Sequence, residues 1–515
     1  MKDSKLGMAL LAALTLILCL SSTAMAKGVL KVAVSDEPAA LDQHIVTADL
    51  GTMIAQHIFE GLYTFDETYK PVPMLAEGAQ IEDNGKRISI KLRRGVLFHN
   101  GQEMTSADVV ASLNRWGKHG ARGPILFANL EKVAANGKYQ VDLQFKQVFG
   151  PWQSILAFIN GGPVIYPAQI AAGAGKKPID VKDYIGTGPY RMGNWNPGRY
   201  LELVRFDKYA ARADAPNGYG GKREALLDKI QFIPVPDVTT RVNGVKAGDY
   251  HYAEQISGDL FDTVDKDAGV KIIVNTGPIF GEMFFNSQEG LMKDNFKLRQ
   301  AVQAAMDLKP ALMAAIGPQS LWSANGSIMP EGTFWYTQEG TENYSQGDKQ
   351  KAQALAKEAG YNGDVIKFMV STAYPHHYDT AVVVARQLSQ AGFKVDLQIY
   401  DWATLISKRG NPKMWDIFFT HHGFVPDPIL FSFMSETYPG WWATQEKLEL
   451  KAAFTATNDQ QERKKIWGKI QSLMYQQVPI VKNGDIFTYN IAATKIAGIA
   501  KTSLIWPRFW NVDLD

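Results

Sequence analysis

The sequence predicts an α/β protein built from two or three core-bearing units. Its 515 residues far exceed the ~250–300 at which a single hydrophobic core stops growing and a chain divides. Strand-like stretches dominate the first half, whereas helical and strand-like patterns alternate over residues 298–420, as in an α/β unit with a partly parallel sheet. The 46% hydrophobic and 21% charged residues are ordinary for a folded globular protein.

Hydrophobic spacing predicts the elements of the first half. Residues 29–34 are β-branched or apolar and end at Asp36-Glu37-Pro38, which indicates a buried strand. Residues 139–145 alternate apolar and polar side chains, so one face of that strand is expected to be buried. Helix-spaced apolar residues predict a helix over 54–65, and Thr105 is suited to cap another helix. Further strands are expected over 88–92, 96–98, 200–204 and 229–233.

The second half is predicted to alternate helices with strands. Gly277, Pro278 and Gly281 suit a segment in which the chain crosses between domains, and residues 480–488 are predicted to carry it back. Gly360 and Gly392 each follow a predicted helix, where glycine commonly ends one. Helices are expected over 298–306, 349–359, 380–390 and 460–477, and strands over 365–370, 395–400 and 417–420.

The N-terminus has the pattern of an export signal. Two lysines precede an apolar run over 7–20, and Ala24-Met25-Ala26 has the small-x-small pattern of a cleavage site. Cleavage after Ala26 is predicted, which places the mature protein in the periplasm. The run is shorter than the roughly twenty residues that a membrane helix needs. Cys19 suggests a lipoprotein as an alternative, although Leu18 occupies the position where lipid-attachment sites carry a small residue.

Several chemistries are excluded by composition and by absent motifs. Cys19, the only cysteine, lies in the predicted leader, so the mature chain has no disulfide, thiolate metal site or thiol nucleophile. The net charge of +2 and the absence of a long basic run argue against a nucleic-acid partner. Neither a phosphate-binding Gly-x-x-x-x-Gly-Lys-Ser/Thr loop, a His-Glu-x-x-His pair nor a Gly-x-Ser-x-Gly elbow occurs. A secreted hydrolase with scattered catalytic carboxylates stays open as an alternative.

Two histidine pairs are the remaining metal candidates. These are His376-His377 and His421-His422. If His421 and His422 continue the preceding strand, their side chains point to opposite faces and cannot bind the same ion. Because no cysteine and no carboxylate stands at ligand spacing, the sequence predicts neither a metal site nor a cofactor.

Several segments resemble the extracellular solute-binding proteins of ABC importers, family 5, a peptide-, nickel- and opine-binding type similar to dipeptide-binding proteins. Each motif is short, but together they span most of the chain in the family's order. The matching segments are Phe59-Glu60-Gly61-Leu62-Tyr63, Pro73-Met74-Leu75-Ala76-Glu77, residues 92–101, Thr105-Ser106-Ala107-Asp108-Val109, Gly186-Thr187-Gly188-Pro189-Tyr190, residues 299–302 and 305–307, and Glu358-Ala359-Gly360-Tyr361.

The resemblance implies a two-lobed periplasmic binding protein (type II, large, cluster C-like) with an extra subdomain in lobe one. The expected divisions are lobe one over 27–280 with the subdomain at about 80–200, lobe two over 281–480, and a return to lobe one over 481–515. The implied function is to capture a small-molecule ligand between the lobes and deliver it to an ABC permease and ATPase complex. A monomer is expected, and a receptor that presents its ligand to a membrane sensor is an alternative.

The ligand is expected to differ from a standard peptide. In peptide-binding relatives an aspartate pairs with the peptide's α-amine, and the matching position here is Phe424. A buried ammonium without a carboxylate partner is costly, so this departure argues against a peptide held by its α-amine. A register shift that lets Asp427 supply the charge, with dipeptide or oligopeptide binding, is the alternative. An aromatic or sugar-acid-like metabolite, an opine-type conjugate or a metal chelate would suit the site.

The resemblance also suggests which side chains contact the ligand. The first strand delivers Glu37 to a loop near the ligand, and Arg386 is a candidate partner for a ligand carboxylate. Each candidate has an alternative role in packing or as a solvated charge. The remaining candidates, from segments that face the cleft in the family, are Trp402, His421, His422, Phe424, Asp427 and Trp442.

Overall fold

The computed structural model describes residues 28–500 and 502–514. The predicted leader, its cleavage site after Ala26 and Cys19 therefore lie outside the described residues. Within the described part of the chain, no helix combines the length and the apolar character needed to cross a membrane.

Helices and strands are mixed along the whole described chain. The strands are β1 Val29–Val34, β2 Tyr63–Phe65, β3 Pro71–Pro73, β4 Ala76–Glu82, β5 Arg87–Leu92, β6 Leu130–Ala135, β7 Gln140–Phe145, β8 Tyr190–Asn196, β9 Tyr200–Arg205, β10 Lys229–Pro234, β11 Tyr252–Ile256, β12 Val270–Asn275, β13 Ile279–Phe285, β14 Trp322–Ser323, β15 Val365–Ser371, β16 Lys394–Tyr400, β17 Ile417–Gly423, β18 Ile480–Ile486, β19 Tyr489–Ala493, β20 Ile496–Ala497, β21 Thr502–Ser503 and β22 Asp513–Leu514. The helices are α1 Asp49–Ala55, α2 Ser106–His119, α3 Gly123–Phe127, α4 Trp152–Ala157, α5 Ala168–Gly173, α6 Val238–Ala247, α7 Phe261–Asp265, α8 Phe296–Ala304, α9 Leu308–Ile316, α10 Lys349–Glu358, α11 Pro375–Gln390, α12 Trp402–Arg409, α13 Gln445–Thr455 and α14 Gln460–Gln477.

An eight-stranded sheet forms the centre of lobe one. Its order is β21-β12-β19-β11-β1-β10-β9-β8, and β1 runs parallel to both β10 and β11. The first strand lies inside this sheet, and its residues Leu30, Val32 and Ala33 are fully buried. Residues from both ends of the chain thus build one sheet.

A six-stranded sheet forms the centre of lobe two, in the order β14-β18-β13-β17-β15-β16. The chain enters this sheet after residues 276–278 and leaves it at 487–488, against the expected divisions after 280 and 480. The two crossings contact each other, since the Asn275 N–H donates a hydrogen bond to the Thr488 carbonyl at 2.9 Å. Both connections between the sheets therefore lie side by side, and the domain limits themselves stay a prediction.

A four-stranded antiparallel sheet, β4-β5-β7-β6, forms a separate layer over residues 76–145. In β7 the apolar residues Val141, Leu143 and Phe145 are buried while the polar residues between them are half-buried, which confirms the alternation in the sequence. This layer overlaps the first part of the range expected for the extra subdomain, about 80–200, and the subdomain itself stays a prediction.

The predicted helix over 54–65 is wrong. Helix α1 ends at Ala55, and the following residues run through turns into β2. Ile58 and Phe59 are fully buried, and the backbone next to them bonds to distant segments, with the Ile165 N–H donating to the Glu60 carbonyl and the Gly188 N–H to the Ile58 carbonyl. The apolar spacing therefore reflects burial from several sides rather than one helix face.

Candidate functional site

A cavity of about 520 Å³ lies where the two lobes meet. Its walls include both crossings, through Asn275 and Thr488. Lobe one contributes α1, the loop before α3, β11 and the segment around Trp506, while lobe two contributes the end of β17. This volume falls in the ~300–1,000 Å³ range of small-molecule sites.

Pairing of β13 with β17 places the lobe-two wall. Ile279 lies opposite Gly423, and Phe280 lies opposite His422, so the end of β17 stands beside the first crossing. The His422 ring stacks on Phe280 with centroids 6.0 Å apart, and the residue lines the cavity. The chain then continues along the same wall through Phe424.

Phe424 closes the cavity toward lobe one. Its side chain is 8% exposed, and its ring lies 4.4 Å from that of Tyr69. Beyond these rings is a second cavity of about 450 Å³, which shares Trp506 with the first. The lobe-two wall at this point is thus aromatic.

Arg122 supplies positive charge from lobe one. Its Nε donates to the Asn160 carbonyl at 2.9 Å and its Nη2 to Asn160 Oδ1 at 3.3 Å, while the guanidinium stacks on Phe158 at 4.7 Å. Burial lowers the pKa of Arg122, and Asp49 partly opposes this shift. These hydrogen bonds use Nε and Nη2, and the residue lines the cavity.

Two carboxylates also line the cavity from lobe one. Asp49 opens α1 and accepts a hydrogen bond from Trp506 Nε1 at 2.9 Å. Glu254 on β11 accepts from the Ser35 N–H and Oγ, both at 2.9 Å, and burial raises its pKa. Sequence reasoning missed Arg122, Asp49 and Glu254, because these residues stand in segments far apart along the chain and belong to no recognised motif.

Asp427 lies away from the cavity and is fully buried. Its carboxylate is 3.0 Å from Arg463 Nη2, and Oδ1 also accepts from the Ile429 N–H. Arg463 is itself fully buried between the rings of Trp335 and Phe454, at 4.9 and 4.2 Å. The acid is thus engaged in an internal ion pair.

Three other predicted contacts also lie outside the cavity. Trp442 is buried and donates from Nε1 to Gln477 Oε1 at 2.7 Å. Glu37 is half-buried and accepts from the Gly198 N–H and from Trp195 Nε1 in the β8–β9 hairpin. Arg386 is exposed on α11. Of the predicted residues, His422 and Phe424 line the cavity, and roles for the others in ligand binding stay a prediction.

Trp402 and His421 meet on the other side of β17. Their rings stack with centroids 6.3 Å apart. His421 Nδ1 is also 2.8 Å from His377 Nε2, and His376 lies next to His377 on the first turn of α11. The fold thus joins one member of the second histidine pair to both members of the first, an association that spacing along the chain does not show.

Comparison with known proteins places the chain in a family. Residues 70–442 match the model of the bacterial extracellular solute-binding proteins, family 5. The protein named "Probable peptide ABC transporter periplasmic-binding protein y4tO" from Sinorhizobium fredii is 26% identical over 496 residues, covering 92% of this chain and 91% of that protein. Glutathione-binding protein GsiB from Escherichia coli is 25% identical over 492 residues, covering 89% of each chain.

Solved structures share the fold. The structure of HbpA2 from Haemophilus parasuis aligns with a TM-score of 0.80 at 20% identity, over 95% of this chain and 100% of that one. This likeness confirms the predicted two-lobed α/β fold. Because the family model matches most of the sequence, the chain belongs to the bacterial extracellular solute-binding proteins of family 5.

Proposed function

We propose that this chain is the periplasmic binding component of an ABC importer and that its ligand is a small solute bearing a carboxylate, not a standard peptide held by its α-amine from lobe two. The family consists of solute-binding proteins, and relatives such as y4tO are named as parts of ABC transporters. The solute is enclosed between the lobes, where loss of water strengthens each polar contact.

The charges on the two cavity walls carry this proposal. Among the described lining residues, lobe two contributes aromatic, apolar and histidine side chains, and no carboxylate. The family resemblance implies that Phe424 takes the position of the aspartate in peptide-binding relatives, and Asp427 is engaged with Arg463. An ammonium against the lobe-two wall would therefore lose its hydration without gaining a partner.

The side chains of lobe one support the proposal that the solute bears a carboxylate. Arg122 offers its guanidinium to a carboxylate and is held in place by Asn160 and Phe158. Asp49 and Glu254 lie on the same wall, so an amine on the solute would be held from lobe one. An opine-type conjugate, which combines carboxylates with an amine, suits this arrangement.

Replacing Arg122 with glutamine should lower the affinity for a carboxylate-bearing solute about 10- to 100-fold, because a charge-assisted hydrogen bond contributes ~1.5–3 kcal/mol. Isothermal titration calorimetry of a solute found by screening measures the change. Arg386→Gln is the matched comparison, since that arginine is exposed on α11. Equal losses in both variants, or a loss in Arg386→Gln alone, would contradict the role assigned to Arg122.

The ligand class can be tested by a thermal-shift screen. Common di- and tripeptides should give little stabilisation, whereas a carboxylate-bearing conjugate should raise the Tm in a concentration-dependent way. Mass spectrometry of solute retained from expression identifies the ligand independently. A standard peptide that binds with micromolar affinity would overturn the proposed ligand class and favour oligopeptide capture.

A further inference from the structure

Three histidines lie close together outside the solute cavity, near the end of strand β17 and the start of helix α11. His376 and His377 begin α11, and His421 lies near the end of β17. One ring nitrogen from each lies within 4.8 Å of the other two. Because side chains alternate along a strand, His421 faces away from the cavity that His422 lines.

The cluster contains buried ring nitrogens without partners. His377 is fully buried, and its Nδ1 has no hydrogen-bond partner among the described residues. His376 Nε2 is likewise buried and unpartnered within the described part of the chain. A buried acceptor without a partner normally costs free energy, so the His376 Nε2 atom indicates a missing partner.

Aromatic side chains pack around the three imidazoles. Tyr374 and Trp402 pack against the rings, with Tyr374 4.8 Å from His377 and Trp402 5.8 Å from it. Neutral imidazole is the form that binds metals, and no carboxylate belongs to the group.

We propose that His376, His377 and His421 form a binding site for one divalent transition-metal ion of the zinc class. Imidazole nitrogen suits zinc and its neighbours in the first transition row. Three protein ligands leave a fourth position, which a water molecule would occupy. This site lies across β17 from the solute cavity and does not depend on the proposed ligand.

Binding requires the three ring nitrogens, which lie within 4.8 Å of one another, to reach a common distance from the ion. Tetrahedral zinc with nitrogen ligands at about 2.0–2.1 Å places those nitrogens about 3.3 Å apart. His377 Nε2 and His421 Nδ1 are now 2.8 Å apart as a hydrogen-bonded pair. This hydrogen bond would open as both nitrogens turn toward the ion, and His376, which is half-buried, would approach from the helix start.

The test is zinc binding by the exported protein, purified without a histidine tag and stripped with a chelator. Equilibrium dialysis with metal analysis should give one zinc ion per chain, and zinc should raise the Tm. His377→Ala and His421→Ala should each weaken binding more than about 100-fold, since changes to residues that merely support a ligand already cost 10- to 100-fold. Cobalt substitution should produce the visible absorption of a low-coordinate site.

His119→Ala, at a histidine on α2 of lobe one, is the matched control and should bind zinc like the unmodified protein. If His377→Ala fails to fold, His376→Ala carries the test, because His376 is only half-buried. Less than one ion per chain at saturation would overturn the proposal. Unchanged affinity in His376→Ala and His421→Ala would overturn it equally.

Discussion

Replacing Asp427 with alanine should lower the free energy of unfolding by about 3–5 kcal/mol, because removal of one partner leaves the other charge buried and uncompensated. Asp427 and Arg463 are both fully buried, 3.0 Å apart. Their ion pair joins the loop after β17 to α14. Chemical denaturation followed by tryptophan fluorescence and circular dichroism measures the loss, and both probes should report it.

The double variant Asp427→Ala/Arg463→Met is the control for this prediction. It removes the unpaired guanidinium, so it should recover much of the stability that the single variant loses. Solute affinity, measured below the unfolding transition, should change little in either protein. A stable Asp427→Ala variant that no longer binds solute would instead support the register shift in which Asp427 holds an amine.

Glu282→Gln should make the stability of the protein less sensitive to a rise in pH between 5 and 8. Glu282 on β13 is fully buried, and within the described residues neither carboxylate oxygen has a hydrogen-bond partner. Burial raises its pKa from the ordinary value to about 8, with Arg409 opposing the shift. The side chain is therefore neutral in the folded protein over a range in which the unfolded chain has already lost its proton.

The sign of the effect follows from proton binding. Between the unfolded pKa near 4.5 and the folded pKa near 8, the native state binds more protons than the unfolded state, so stability falls as pH rises. At about 1.4 kcal/mol per pKa unit, the total loss is on the order of 5 kcal/mol. Glutamine cannot ionise, so Glu282→Gln should gain stability relative to the unmodified protein across this window.

Denaturation curves at pH 5, 6, 7 and 8 measure this difference. The gap between the two proteins should widen with each step and be smallest at pH 5, which provides an internal control for the substitution itself. Thr420 and Lys482 lie opposite Glu282 on the neighbouring strands, and Lys482 is bound to Asp485 at 2.6 Å. A constant gap over the whole range would show that Glu282 ionises normally in the folded protein.

Much of the fold is predictable because its signals are local. The alternation over 139–145 depends only on one buried and one wetter sheet face, and the glycines near Gly277 mark the first crossing. The prediction of a helix over 54–65 was wrong because its signal was not local. There the apolar residues are buried by segments more than 100 residues away, such as Ile165, and no window of sequence contains that information.

The residues of the candidate site also fall into those that the sequence predicted and those that only the structure identified. His422 and Phe424 were predicted to face the cleft because the family resemblance assigned their segment to it, and both line the cavity. Arg122, Asp49 and Glu254 belong to the cavity only because α1, the loop before α3 and β11 meet there.

By itself the sequence determined the α/β class, the family, and the lack of cysteine over residues 20–515, because composition, periodicity and motif order are properties of the chain. Only the tertiary structure decided that Asp427 faces Arg463 rather than the cavity, and that His421 joins His376 and His377. Side-chain partners depend on which surfaces come together when the lobes fold, and such contacts leave no mark on residue spacing.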